Sequence, residues 1–342
     1  MKSFLTSPLT RVLLLCAGLA LVLFLLARIG VRAAITEASR IGWMFALVVL
    51  LGALPHLLRT LSWRRLLRLG ESGPGFPRMF AWWLAGEAIS HLSFSWSGEA
   101  YRVVVARQQI PLGPGTAAMA LNRVVYTLAS LLVAVVGVGW ALVRLPLPAG
   151  LEIGIRRFLM GAVALLVVVL GVLLFRRLAG RREGRATARP PAVAAEGEWR
   201  LRHTLRQLHQ DWGKMSLRGP GDITYLVILN LLTALVGVAE VWVILYALGA
   251  PVSAADALFI EGFLKLLSGL AYFVPGNIGV AEGGIVLILG FLRVSAATGL
   301  ALAMIRRARA LAWVGIGCLV LLGLGTGFRV PAEKEIVASP PK

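Results

Sequence analysis

The stretch 271–284, AYFVPGNIGVAEGG, decides how this chain is to be folded. It lies among long apolar runs, yet it holds one proline, four glycines, an asparagine and a glutamate. Proline removes a backbone donor and glycine admits positive φ, so a helix has to break here. Two readings fit such a break: a plain turn outside a membrane, or the tip of a helical hairpin within one. Irregular backbone at membrane depth is tolerated only where protein or a water-filled cavity covers it.

The surrounding composition brings in the membrane. Hydrophobic residues make up 58% of the 342 residues and charged residues 15%, with a mean hydropathy of +0.82. The runs 12–29, 41–61, 116–143, 158–175, 223–248 and 311–328 are apolar enough to read as spans, against about 20 residues for a full crossing. The first run follows a short basic N-terminus but exceeds the apolar core of a signal peptide, so it reads as a retained span. Segments 79–98 and 255–284 are also apolar but interrupted, the first by Glu87, His91 and several serines. The formal net charge of +19 comes from 35 Lys/Arg against 16 Asp/Glu. These cations flank the apolar runs, as the positive-inside rule expects, so nucleic acid is not expected as a partner.

Charge also sets orientation. With Lys2 and Arg11 in the cytoplasm, the second span ends inside at Arg59, Arg64, Arg65 and Arg68. The polar loop 176–222 carries eleven Arg/Lys against five Asp/Glu and belongs inside too,. Within it, 203–215 reads as a short surface helix. An even number of crossings must separate the two basic regions. Spans three and four supply two, so segment 79–98 enters and returns.

Sliding the chain by 183 residues places Glu99 on Glu282 and Arg123 on Arg306, and lays span two over span five,. The fold expected is therefore an all-α polytopic membrane protein built from two inverted three-span repeats, each with a re-entrant broken-helix hairpin. The divisions are 1–175 (first repeat plus fourth span), 176–222 (basic cytoplasmic loop), 223–328 (second repeat) and 329–342 (polar tail). The location expected is the inner membrane, multi-pass, with both termini cytoplasmic.

The candidate substrate-binding residues are Glu99, Arg102, Arg123, Pro275, Gly276, Gly279, Glu282, Arg306 and Arg307. Carboxylates at membrane depth need partners or water, and Arg grips phosphate or carboxylate with a planar fork. Arg102, three residues after Glu99, is a same-face partner if that stretch is helical. Freed amides at a broken-helix N-terminus also suit anionic oxygens. The alternative is a set of structural ion pairs that fix helix register, with Arg306, Arg307 and Arg309 as interfacial charges. Glu87, His91 and Glu240 are the titratable candidates for proton coupling. His56, His91, His203 and His209 form no metal pattern, and Cys16 and Cys318 no metal or redox spacing. With no nucleophile elbow or P-loop either, neither enzyme activity nor a cofactor nor a metal is expected.

SGEAYRVVVAR (97–107), MALNRVVY (119–126), YFVPGNIGVAEGGIVLILGFLRVS (272–295) and ALAMIRRARAL (301–311) together resemble the lysylphosphatidylglycerol synthase transmembrane-region family. The resemblance rests on P-G-x-x-G-x-x-E at Pro275, Gly276, Gly279 and Glu282, and on G-E-x-x-R at Gly98, Glu99 and Arg102. It implies a flippase-like protein that moves a phospholipid or related amphiphile between leaflets, with membrane lipids bearing anionic or phosphate head groups as partners. It does not imply synthesis, because the synthase's soluble domain has no counterpart here. A second reading is a non-catalytic membrane partner of a lipid- or polyprenol-linked glycosyltransferase or of a hopanoid pathway.

Overall fold

The computed structural model describes residues 31–67, 73–92, 97–107, 109–144, 149–179, 220–250, 252–270 and 279–324. The run 12–29, most of the loop 176–222 with its segment 203–215, the tail 329–342, Pro275 and Gly276 lie outside the described residues. The described residues fold into α1 (Val31–Ser39), α2 (Met44–Leu51), α3 (Ala53–Leu67), α4 (Phe76–Leu92), α5 (Ser97–Ala106) and α6 (Leu112–Arg144). After these come α7 (Ala149–Ala179), α8 (Pro220–Ala247), α9 (Ala254–Leu270), α10 (Val280–Phe291) and α11 (Ala296–Leu324).

Local chemistry sets the ends of several helices. Gly249 closes α8 at φ 72°, and Ala250 N–H donates back to the Leu245 carbonyl at 3.0 Å,. Ser253 and Asp256 cap α9 reciprocally: the Ser253 N–H donates to Asp256 Oδ2 at 2.9 Å and the Asp256 N–H to Ser253 Oγ at 3.1 Å,. Ser295 accepts from the Thr298 N–H at the start of α11,. Gly52 does not end the run it interrupts. It keeps helical angles (φ −61°, ψ −19°), so α2 and α3 continue as one stretch.

Among the described residues, three helical stretches are long and apolar enough to cross a membrane by length and composition: Met44–Leu67, Leu112–Arg144 and Gly221–Ala247. The expected run 158–175 lies within α7. The expected run 311–328 is corrected: α11 starts at Ala296, and its first half carries Arg306, Arg307 and Arg309. Three charges in a few residues hid that half from a hydropathy reading. The bundle buries a set of polar and charged side chains within an otherwise apolar interior and turns apolar faces outward. His56, Thr60, Ser62, Arg102, Asn122, Asn230, Glu240, Glu261 and Glu282 are buried, whereas Val136, Ile228, Leu235, Leu319 and Leu322 are exposed. Large apolar faces turned outward around a charged interior suit a hydrocarbon solvent rather than water.

Segment 79–98 does not run straight. Arms α4 and α5 fold back on each other, with Gly98 against the Gly86 carbonyl and Arg102 against the Trp83 carbonyl at 3.1 Å. In the second half, α9 and α10 take the corresponding places, with Gly284 against Leu264 and Leu267. Arms α4 and α9 each have 17 residues. Helix α9 packs on α6 and α4 packs on α11. At these two crossings a glycine of one helix meets the backbone of the other. A Cβ on Gly262 of α9 would stand 3.0 Å from Ala134 Cα of α6, and one on Gly317 of α11 would stand 2.5 Å from the Leu84 carbonyl of α4. Ala134 and Gly317 are 183 residues apart, and Leu84 and Gly262 each stand ninth in their arms. Exchanging α4 with α9, α5 with α10, α6 with α11 and the α2–α3 stretch with α8 preserves which helices pack together.

The first hairpin depends on the close approach at its glycines, since an added methyl in a tight backbone contact costs roughly 1–3 kcal/mol. Gly98→Ala drives a Cβ into the Gly86 carbonyl. It is expected to lower the melting temperature in detergent, whereas Gly139→Ala, with nothing within 4 Å of its would-be Cβ, is expected to be neutral or mildly stabilising.

Candidate functional site

The interior charges form one connected chain. At one end, Arg309 Nε lies 2.7 Å from Glu240 Oε1, and Arg306 Nε stands 3.7 Å from the same oxygen. Arg306 then reaches Glu261 at 3.0 Å, and Lys265 reaches Glu261, also at 3.0 Å. Lys265 Nζ lies 5.7 Å from the Tyr126 ring, and the Arg59 guanidinium lies over that ring at 4.4 Å and over Trp83 at 5.0 Å. Arg102 lies over Trp83 at 3.9 Å and donates to Glu87 at 2.9 Å. His91, more exposed, is 3.8 Å from Glu87 at the far end. Seven helical segments contribute: α3, α4, α5, α6, α8, α9 and α11.

Small residues make the room. Gly237 on α8 leaves space for the Glu261 carboxylate, and Gly86 on α4 leaves space for the Arg102 side chain, whose Nε would stand 2.6 Å from a Cβ there. Glu261 is 4% exposed, Glu240 4% and Arg102 2%. A lone charge at such depth costs about 2.5–3.5 kcal/mol even on the lenient insertion scale, so each is held by its partners.

Both motif glutamates are engaged at the hairpin tips. Glu99 on α5 accepts from Arg123 on α6 at 3.0 Å. Glu282 on α10 pairs with Arg307 on α11, and its other oxygen accepts from the Gly279 N–H at 2.8 Å. Gly279 sits at φ 82°, a conformation side chains rarely adopt,. The second motif therefore supplies its own anion to that freed amide.

Three sequence expectations are corrected. Arg102 pairs with Glu87 across the hairpin rather than with Glu99 on its own helix, because α5 turns Arg102 onto α4 and Glu99 onto α6. The partner of Glu282 is Arg307, so the 24-residue spacing of Glu99 and Arg123 becomes 25, and Arg306 turns inward to Glu240 and Glu261. Arg309, an interfacial charge in the alternative reading, pairs with Glu240, and Arg59, read as part of the basic end of the second span, lies over two aromatic rings.

Glu87, Arg102, Glu240 and Arg306 thus meet in one network with His91 at its end. Glu99 with Arg123, and Gly279 and Glu282 with Arg307, tie the starts of α5 and α10 to α6 and α11. Sequence reasoning missed Glu261, Lys265, Trp83, Tyr126 and His56. The i, i+4 spacing of Glu261 and Lys265 was a readable signal, the same spacing as Glu87 and His91. His56 lies against Trp313, ring centroids 5.1 Å apart, with Glu87, Arg59 and Arg102 as electrostatic neighbours. Among the described residues no three or more His, Cys, Asp or Glu side chains are placed to hold a metal ion.

A family model for the lysylphosphatidylglycerol synthase TM region matches residues 9–317. No curated protein and no solved structure matches the chain.

Glu261 joins two cations, so its charge governs the centre of the network. Glu261→Gln leaves Lys265 and the Arg306 contact underpaired, and breaking a buried pair costs roughly 3–5 kcal/mol. The double variant Glu261→Leu/Lys265→Leu removes both charges of one pair and is expected to recover much of that loss. Thermal unfolding of the two variants beside wild type in one detergent measures the difference.

Proposed function

Since the chain belongs to the lysylphosphatidylglycerol synthase TM region family, we propose that it is an integral inner-membrane lipid flippase or transporter and not an enzyme. It moves a phospholipid or related amphiphile with an anionic or phosphate-bearing head group between leaflets, by way of its charged interior. The observation that carries this reading is the continuous chain of charges and ring faces from Arg309 to His91, which joins both hairpins. Apolar packing can replace buried ion pairs with little or no loss of stability, so stability alone is a poor reason to keep so many charges. A polar path through hydrocarbon is what a charged head group needs to cross.

In this reading, the three spans up to residue 143 and the three from 158 to 328 are inverted repeats, 1–175 being the first repeat plus the fourth span, and the two hairpins are re-entrant from opposite sides. The exchangeable packing and the matched glycine crossings support it. The Arg65–Asp222 ion pair, 2.7 Å, supports placing the end of the second span beside the end of the basic loop, on the cytoplasmic side with both termini. The loop serves as a topology determinant. Arg306 and the hairpin-tip pairs, Glu99–Arg123 and Glu282–Arg307, act on the head group or on the hairpins that admit it. Glu87, His91 and Glu240 supply protonatable oxygens and nitrogens along the path.

Leaflet exchange of head-group-labelled lipids in proteoliposomes tests the proposal. Wild type is expected to exchange an anionic phospholipid. Arg306→Ala and Glu282→Gln, each shown to be folded by its melting transition, are expected to slow exchange by at least about tenfold, the loss of one charge-assisted contact. No exchange by wild type across anionic, zwitterionic and polyprenyl lipids would overturn transport and favour the partner-protein reading.

A further inference from the structure

The ion pairs of the interior leave one cation over. Arg102 has Glu87, Lys265 has Glu261, Arg306 has Glu261 and Glu240, and Arg309 has Glu240. Among the described residues Arg59 has no carboxylate at ion-pair distance; Glu87, already held by Arg102, acts on it only from further away. It lies over the rings of Tyr126 and Trp83, at 4.4 Å and 5.0 Å. Ring faces attract a guanidinium but accept none of its in-plane hydrogen bonds. Its Nε is buried and has no acceptor.

Two further donors near it are in the same condition. The Trp83 indole is fully buried and its Nε1–H has no acceptor; the same holds for Trp63, whose ring centroid is 6.3 Å from that of Trp83. Buried donors are nearly always paired, so three unpaired ones in one neighbourhood call for an acceptor. The charge count points the same way. Among the described residues Arg59, Arg102, Lys265, Arg306 and Arg309 have Glu87, Glu240 and Glu261 to balance them, two cations in excess; Glu99, a neighbour of Arg102, is already balanced by Arg123.

We propose that Arg59, between Trp83 and Tyr126, is the centre of a binding site for a phosphomonoester dianion, carried as a lipid head group or as free phosphate. A dianion balances both surplus cations, where a phosphodiester or a carboxylate balances one. Its terminal oxygens supply several acceptors to donors that have none, and a guanidinium matches phosphate geometry with two parallel bonds. This deepens the transport reading and rests on it for biological meaning, but binding does not require transport.

The test is calorimetric binding to the full chain in a neutral detergent, where no leaflet exchange takes place. The probes are short-chain phosphatidate, short-chain phosphatidylglycerol and inorganic phosphate. Phosphatidate is expected to bind at least about tenfold tighter than phosphatidylglycerol, and Arg59→Gln to weaken it about tenfold or more, the loss of a charge-assisted contact. Equal binding of monoester and diester overturns the proposal, as does unaltered binding by a folded Arg59→Gln. If inorganic phosphate binds as tightly as phosphatidate, the site takes the free anion; if it binds far more weakly, the site takes the lipid head group. Should Arg59→Gln not fold, Arg59→Lys keeps the charge without the planar fork and is expected to bind several-fold more weakly; unaltered binding overturns the proposal there too. A wild type that binds phosphatidate here but exchanges no lipid in vesicles overturns the transport reading and leaves the site standing.

Discussion

A charge inside an apolar bundle has to find its partner on another helix, and this constraint governs the rest of the molecule. Glu261 shows it most plainly. It sits on α9, accepts Lys265 from its own helix and Arg306 from α11, and needs Gly237 of α8 to leave it room. Moving any of these helices relative to the others by the length of a side chain would strand a charge. Register within the bundle is therefore constrained by where the charges find partners as well as by apolar fit,.

Helices without a hydrophobic drive to associate rely on close contact and polar links. Gly262 against Ala134, and Gly317 against Leu84, bring backbones together at matched crossings of the two halves. The polar links run between halves as well. Asn230 on α8 donates to Ser62 on α3 at 3.0 Å, and Ser62 donates to Asn122 on α6 at 2.6 Å. Close packing and hydrogen bonding thus seat the helices, and the charges then occupy the interior so formed.

The two motifs turn out to be joints as well as candidate contacts for a substrate. In Gly98-Glu99-x-x-Arg102, the glycine touches the facing arm, the glutamate reaches α6 and the arginine reaches back to α4. In the second motif, Gly279 provides the turn and Glu282 both caps α10 and anchors it to α11. Each tip is fastened to the long helix that follows it. A hairpin held in this way is placed as a unit, so head-group binding at its tip would act on the whole hairpin.

Much of this was legible in the sequence because it depends on local rules. Apolar runs marked most of the described long helices, and polar, proline and glycine interruptions marked the segments 79–98 and 255–284. The interrupted segments followed from the same pattern, and the family resemblance followed from the two motifs. What the sequence could not decide was which charge meets which. Arg306 and Arg307 are neighbours, but about 100° of helical rotation separates them, so one faces Glu261 and the other Glu282. Arg102 passes over nearby Glu99 for Glu87, and Arg59 leaves the basic cluster at the end of its span for two aromatic rings. Helix type and length follow from hydrophobicity and backbone breaks along the chain. Pairing depends on the rotation and depth of each helix against its neighbours, and those are set only when the bundle closes.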